Sequence, residues 1–150
     1  MLKTIVVLLV ITSTSASFAQ STPQCPFAPE SLSKQFGLDF KPGVPEQGIL
    51  GKACTYQSKT AKIWIDAGPN PAPNVEMYRK MSNPSGTTWK AVAGDPDKAV
   101  HTVPKAGVDP FPSLSYERKG WLVNITVTGV NGKANIESWN AKLAKLQRIP

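Results

Sequence analysis

The sequence predicts an α+β domain: an antiparallel sheet covered on one face by helices, with one disulfide. Three observations predict it. Residues 53–57 with 61–66, and 113–117 with 121–128, are pairs of segments of alternating character joined by short polar turns, the pattern of β-hairpins. Amphipathic segments with helical spacing open and close the chain, and two cysteines stand in a chain that carries an export leader.

The leader comes first. Met1-Leu2-Lys3-Thr4 carries one positive charge, residues 5–11 are an apolar run too short to span a bilayer, and a polar stretch ends in Ser17-Phe18-Ala19. Small side chains at positions 17 and 19 suit a signal peptidase, so cleavage is placed before Gln20, giving a signal peptide over 1–19 and a single domain over 20–150. A domain of that length can bury one core but does not divide into two. No second long apolar run follows, so no membrane span is expected, and the location expected is periplasmic or secreted. Thr22-Pro23-Gln24 lacks the small and aliphatic residues that precede a lipidated cysteine.

Cys25 and Cys54 are the only cysteines, and in an oxidising compartment they are expected to pair with each other. With His101 as the single histidine, a Cys/His metal site has too few ligands, so neither metal nor cofactor is expected.

Within the domain, residues 29–36 read as a short helix: Pro29 suits the first helical position, Leu32 and Phe36 share a face, Phe27 closes over it, and Gly37 suits the left-handed position that ends it. Residues 38–51, with Pro42, Gly43, Pro45 and Gly48, read as an irregular crossing. The first hairpin follows, and the proline-rich residues 68–73 form a stiff connector. A second helix is predicted from an Asn74 cap over 75–81. Strands are predicted over 87–93 and 98–103, then the second hairpin about Arg118-Lys119-Gly120, then an amphipathic helix over 135–149 with the stripe Ile136, Trp139, Leu143 and Leu146.

The order Cys25-Pro26-Phe27 before a helix ending Phe36-Gly37, then Ala53-Cys54-Thr55-Tyr56, the Val92-Ala93-Gly94-Asp95 turn and the Leu114 to Val123 hairpin resembles small two-cysteine exported domains and lipoproteins of unassigned function. The arrangement is also similar to the PsbP/Mog1-like architecture. The resemblance implies a fold and brings no catalytic residues.

Chemistry is sparse. A Ser-His-Asp or Cys-His arrangement would have to use His101, no Gly-x-Ser-x-Gly turn occurs, and Asp95 and Asp97 read as turn residues. No phosphate loop, dinucleotide fingerprint or zinc-protease motif is present, so the protein is read as no enzyme. The 17 basic and 10 acidic residues give a formal net charge of +7; Lys3 is the only one of them in the leader, which leaves +6 on the domain. The basic residues are spread without a run or interleaved aromatics, which excludes a nucleic-acid partner.

Period-two alternation separates the faces of the sheet. If Ile63, Ile65, Trp121, Val123, Ile125 and Val127 face the helices, then Lys62, Trp64, Leu122, Asn124 and Thr126 are expected on a bare opposite face, with Trp64 as anchor for a partner. The function read from this is a non-catalytic cell-envelope binding module acting by protein–protein contact, in the manner of an inhibitor or immunity protein. The alternative is a carrier or sensor of a small apolar or anionic ligand held between sheet and helices.

Overall fold

The computed structural model describes residues 25–69 and 75–149. The signal peptide expected over 1–19, the Asn74 cap and most of the proline-rich connector lie outside the described residues. The elements in chain order are α1 (Pro29–Phe36), β1 (Val44–Gln47), β2 (Lys52–Gln57), β3 (Lys62–Pro69), α2 (Val75–Met81), β4 (Thr88–Ala91), β5 (Val100–Val103), β6 (Ser113–Arg118), β7 (Trp121–Thr128) and α3 (Lys133–Ala144). Every strand pairing is antiparallel, and the seven strands lie in the order β1-β2-β3-β7-β6-β5-β4. The architecture is α+β, as the alternating segments predict.

One face of this sheet carries the main core. Tyr56, Ile63, Ile65, Leu114, Tyr116, Val123, Ile125 and Val127 pack there with Leu32 and Phe36 of α1 and Leu143 of α3. Gly37 ends α1 at φ +72°, its N–H donating to the Ser33 carbonyl at 2.8 Å. The Phe36 ring stacks on Trp139 at 4.8 Å, the Gln35 amide donates to the Lys142 carbonyl, and the Lys142 ammonium donates to the Phe36 carbonyl. The Lys142 ammonium thus satisfies a carbonyl at the C-terminal end of α1, while the Lys142 carbonyl, which also accepts from the Lys145 N–H, ties α3 back to α1.

Two tyrosine hydroxyls on this face each bind both the N–H and the carbonyl of a single residue. The Tyr56 hydroxyl accepts from the Phe27 N–H at 2.8 Å and donates to the Phe27 carbonyl at 3.1 Å. The Tyr116 hydroxyl does the same at Ile149, at 2.9 and 3.0 Å. Burial pushes both phenols above their ordinary pKa, so they stay protonated donors. The Cys25–Cys54 disulfide is formed, tying the entrance of α1 to β2 beside Tyr56.

The opposite face is not bare. The loop from β1 to β2 and α2 both cross it, and they converge on Asp66 of β3. This fully buried carboxylate accepts from the N–H groups of Ile49 (3.0 Å) and Leu50 (3.2 Å) and from the Tyr78 hydroxyl (2.9 Å). Burial, with the Asp66 charge and hydrogen bond adding to it, pushes the Tyr78 phenol far above its ordinary pKa. Two glycines permit the close approach: a Cβ at Gly48 would lie 2.0 Å from an Asp66 carboxylate oxygen, and one at Gly68 would lie 1.8 Å from the Leu50 carbonyl oxygen.

Several boundaries differ from the sequence reading: β3 runs on through Gly68 and Pro69, read as the start of the connector, and β4 and β5 are shorter than the predicted 87–93 and 98–103. Residues 44–47, read as part of an irregular crossing, form the edge strand β1, where Pro45 is tolerated because an edge strand bonds a neighbour on one side only. The last helix runs over 133–144, not 135–149; Leu146 still packs into the core, but from a tail that turns away toward Tyr116. The second hairpin is as read. Lys119 and Gly120 form its two-residue turn with φ of +49° and +76°, the pairing of positive values that a tight hairpin needs. Among the described residues no helix is long and apolar enough to cross a membrane.

Reduction of the disulfide, which spans 29 positions, is expected to lower the unfolding free energy by about 3.5 kcal/mol, as measured by urea titration with and without reductant. Tyr78→Phe deprives the buried Asp66 carboxylate of one donor and should cost about 1.5–3 kcal/mol in the same titration. A loss under 0.5 kcal/mol would show that the hydroxyl is replaceable by water.

Candidate functional site

The five residues expected on the bare face are brought onto one face, but they do not form a surface. Lys62 is exposed and Trp64 half-buried, whereas Leu122, Asn124 and Thr126 are buried. Leu122 packs under Tyr78 and Leu50. The Asn124 side-chain amide donates to the Thr126 hydroxyl at 2.9 Å, and the Ser113 hydroxyl reaches the same oxygen while accepting from the Asn83 amide. The expectation of a bare face is therefore corrected. Alternation reports correctly which side chains share a face, but α2 and the loop at 48–51 cover much of it, because the Asp66 carboxylate draws both down.

The residues considered for catalysis have other employment. His101 on β5 is half-buried with Nδ1 3.1 Å from the Thr102 carbonyl oxygen. Asp95 is a turn residue, its carboxylate accepting from the N–H groups of Asp97 (2.9 Å) and Ala99 (3.3 Å) and pairing with the Arg148 guanidinium. Asp97 lies 3.4 Å from Arg118 and 3.8 Å from Arg148. The Arg148 guanidinium also lies over the Tyr116 ring, 4.7 Å from its centroid. Lys142 and Arg148, which with Lys145 make the basic stretch near the C-terminus, are thus occupied in holding α1 and the tail. Among the described residues no group of three or more His, Cys, Asp or Glu side chains could hold a metal ion.

A different surface stands out. An apolar groove of about 740 Å3 lies over the β1–β3 side of the sheet, on the main core face beyond the cover of α1 and α3. Ile65 and Ala67 of β3, Cys54 of β2 and Trp121 of β7 form its floor and one side; Pro26, Pro45 and Ile149 wall it. By register, Lys52 stands opposite Ala67 on β3 and opposite Gln47 on β1, so alternation carries Lys52 and Gln47 to the groove side along with Cys54. Glu46 also contributes to the lining, but its carboxylate accepts a hydrogen bond from the Thr55 hydroxyl, and Thr55 alternates to the other face.

Sequence reasoning missed this groove because both of its walls were misread. In the sequence Val44 to Gln47 reads as irregular chain and Ile149 as the last residue of a helix, whereas the structure has β1 and a tail beyond α3 there. The available signal was size: Ala67 is small where a strand under a helix would carry a large apolar side chain.

Comparisons with protein-family models, with curated proteins and with solved structures return no match to the chain.

Arg148 and Ile149 hold the tail that walls the groove, so the Asp95 pair bears on the site. Burial pushes the Asp95 carboxyl up, but the Arg148 guanidinium and the amides of Ala99 and Asp97 outweigh this and hold it below the ordinary aspartate value of 3.8. A lowered folded-state pKa stabilises the fold above the ordinary value, and that stabilisation is lost as pH falls through 3.8 toward the folded-state pKa. Asp95→Asn keeps the turn but removes the charge, and should cost about 3 kcal/mol at neutral pH. Below about pH 4 its stability should fall less steeply than that of the unaltered chain, read from urea unfolding across pH.

Proposed function

We propose that this protein is a non-catalytic binding module that works outside the cytoplasm and takes a small apolar ligand into the groove over β2 and β3. The observation that carries the reading is the groove itself. Its volume lies in the range of small-molecule sites, about 300–1,000 Å3, and its lining is mostly apolar with polar side chains gathered at one rim. The signal-like leader and the formed disulfide support a place outside the cytoplasm. The reading follows the carrier alternative of the sequence rather than protein contact through Trp64, because three of the five residues offered for that contact are buried beneath α2 and the adjoining loops.

A groove of this kind transfers apolar ligand surface out of water at roughly 25 cal/mol per Å2, without any group having to react. The ligand is bound and released, not altered. The protein-partner reading makes a different demand, since it needs Trp64 and Lys62 to contribute to affinity.

The fluorescent neutral probe phenylnaphthylamine should bind the domain lacking residues 1–19 with enhanced emission. Ala67→Phe, which places a ring in the groove floor, should reduce probe affinity tenfold or more while the circular dichroism spectrum is kept. Trp64→Ala should leave probe affinity unchanged. Undiminished binding to Ala67→Phe would place the probe elsewhere and remove the support for this groove.

A further inference from the structure

We infer that the ligand of the groove is a single-chain amphiphile with an anionic end, and that Lys52 is its counter-charge. The inference rests on the groove being the binding site and adds the chemical class of what enters it. Charge complementarity argues for the anion. Lys52 is exposed at the end of β2, on the groove side of the sheet, and makes no ion pair with any described residue. Among the described residues that line the groove Glu46 carries the one carboxylate, and it is turned to the opposite face by the Thr55 hydroxyl, so it does not neutralise the lysine.

The polar groups are also grouped. Lys52 and Gln47 face each other across the β1–β2 pair, which places an ammonium and a side-chain amide side by side at one end of an otherwise apolar surface. Ala67 on β3 stands next to Lys52 in the register, and the apolar lining continues from it along β3 to Ile65 and across to Trp121 on β7. The stem of Lys52 can lie along the apolar lining while its ammonium stays at the rim, as long cationic side chains do. A ligand matched to this layout has one apolar tail and one charged head. A two-headed or uniformly polar molecule leaves either the tail region empty or its own polar groups buried without partners.

Among the described residues that line the groove, Lys52 is the one basic side chain. Attachment to an anionic bilayer draws on several basic residues at about 1 kcal/mol each. The occupant is therefore a monomeric amphiphile taken from solution.

The test uses the domain lacking residues 1–19, with decanoate and decanol as competitors of bound phenylnaphthylamine, both kept below aggregation. For an exposed charge pair the gain is up to about 1 kcal/mol, so Lys52→Gln should weaken decanoate roughly three- to fivefold and leave decanol unchanged. Lys52→Glu should weaken decanoate further. The lysine effect should shrink at about 1 M salt, where the screening length is near 3 Å. Equal changes for the two competitors, or no change for either, overturn the anionic assignment while leaving the groove reading intact. Failure of the probe to bind at all overturns both. Sedimentation with phosphatidylglycerol vesicles supplies the last arm: Lys52-dependent attachment to vesicles, without a lysine effect on decanoate, would make the bilayer the partner and overturn the inference.

Discussion

Asp66 is a carboxylate on an interior strand, cut off from water, and burying such a group costs several kcal/mol unless donors converge on it. The donors come from two separate stretches of chain: the backbone at 49 and 50, and the Tyr78 hydroxyl of α2. Each stretch is thereby drawn across the sheet. The loop from β1 to β2 must pass so low that only glycine fits at 48 and at 68. This single requirement decides which face of the sheet is closed. The apolar groove lies on the other side of the sheet, away from this closure.

The core face is organised differently, by apolar packing and by two phenols. α1 and α3 lie together through the Phe36–Trp139 stack and the exchange of hydrogen bonds with Lys142, and they cover the middle of the sheet. They do not extend over β1 and the adjoining ends of β2 and β3. There the cover is thin, made by Pro26 beside the disulfide and by Ile149 in the tail. The groove is what remains when two helices of 8 and 12 residues roof seven strands. Its walls are short pieces of chain, one held by the Cys25–Cys54 bond and by Tyr56 at Phe27, the other by Tyr116 at Ile149 and by Asp95 at Arg148.

Much of this was legible in the sequence where the signal is local. The turn at Lys119-Gly120 set the register of β6 on β7, and Pro29 with Gly37 bounded α1, because turn and cap chemistry act within a few residues. Alternation sorted Ile63, Ile65, Val123, Ile125 and Val127 from Asn124 and Thr126 correctly. It could not say what lies above either face, since cover is decided by distant segments. Nothing local marks Asp66, and its partners 16 positions before and 12 after make it a buried hub. Val44 to Gln47 looked irregular from its proline and the neighbouring glycines, and became a strand only because β2 offered it a free edge. The site inherited these errors, because it lies where β1 and the tail meet.

The two phenols have a consequence for how the ends of the described chain move. Segments near 27 and 149 lie outside regular secondary structure, where backbone amides ordinarily exchange with solvent through small local openings. At Phe27 and Ile149 the N–H is instead held by a hydroxyl whose own proton is committed to the carbonyl of the same residue. Freeing either amide means withdrawing it from a side chain rooted in β2 or β6. Hydrogen exchange at these two positions thus follows the opening of the sheet rather than the fraying of a tail. The walls of the groove keep the time scale of the core, and its width is a property of the folded domain as a whole.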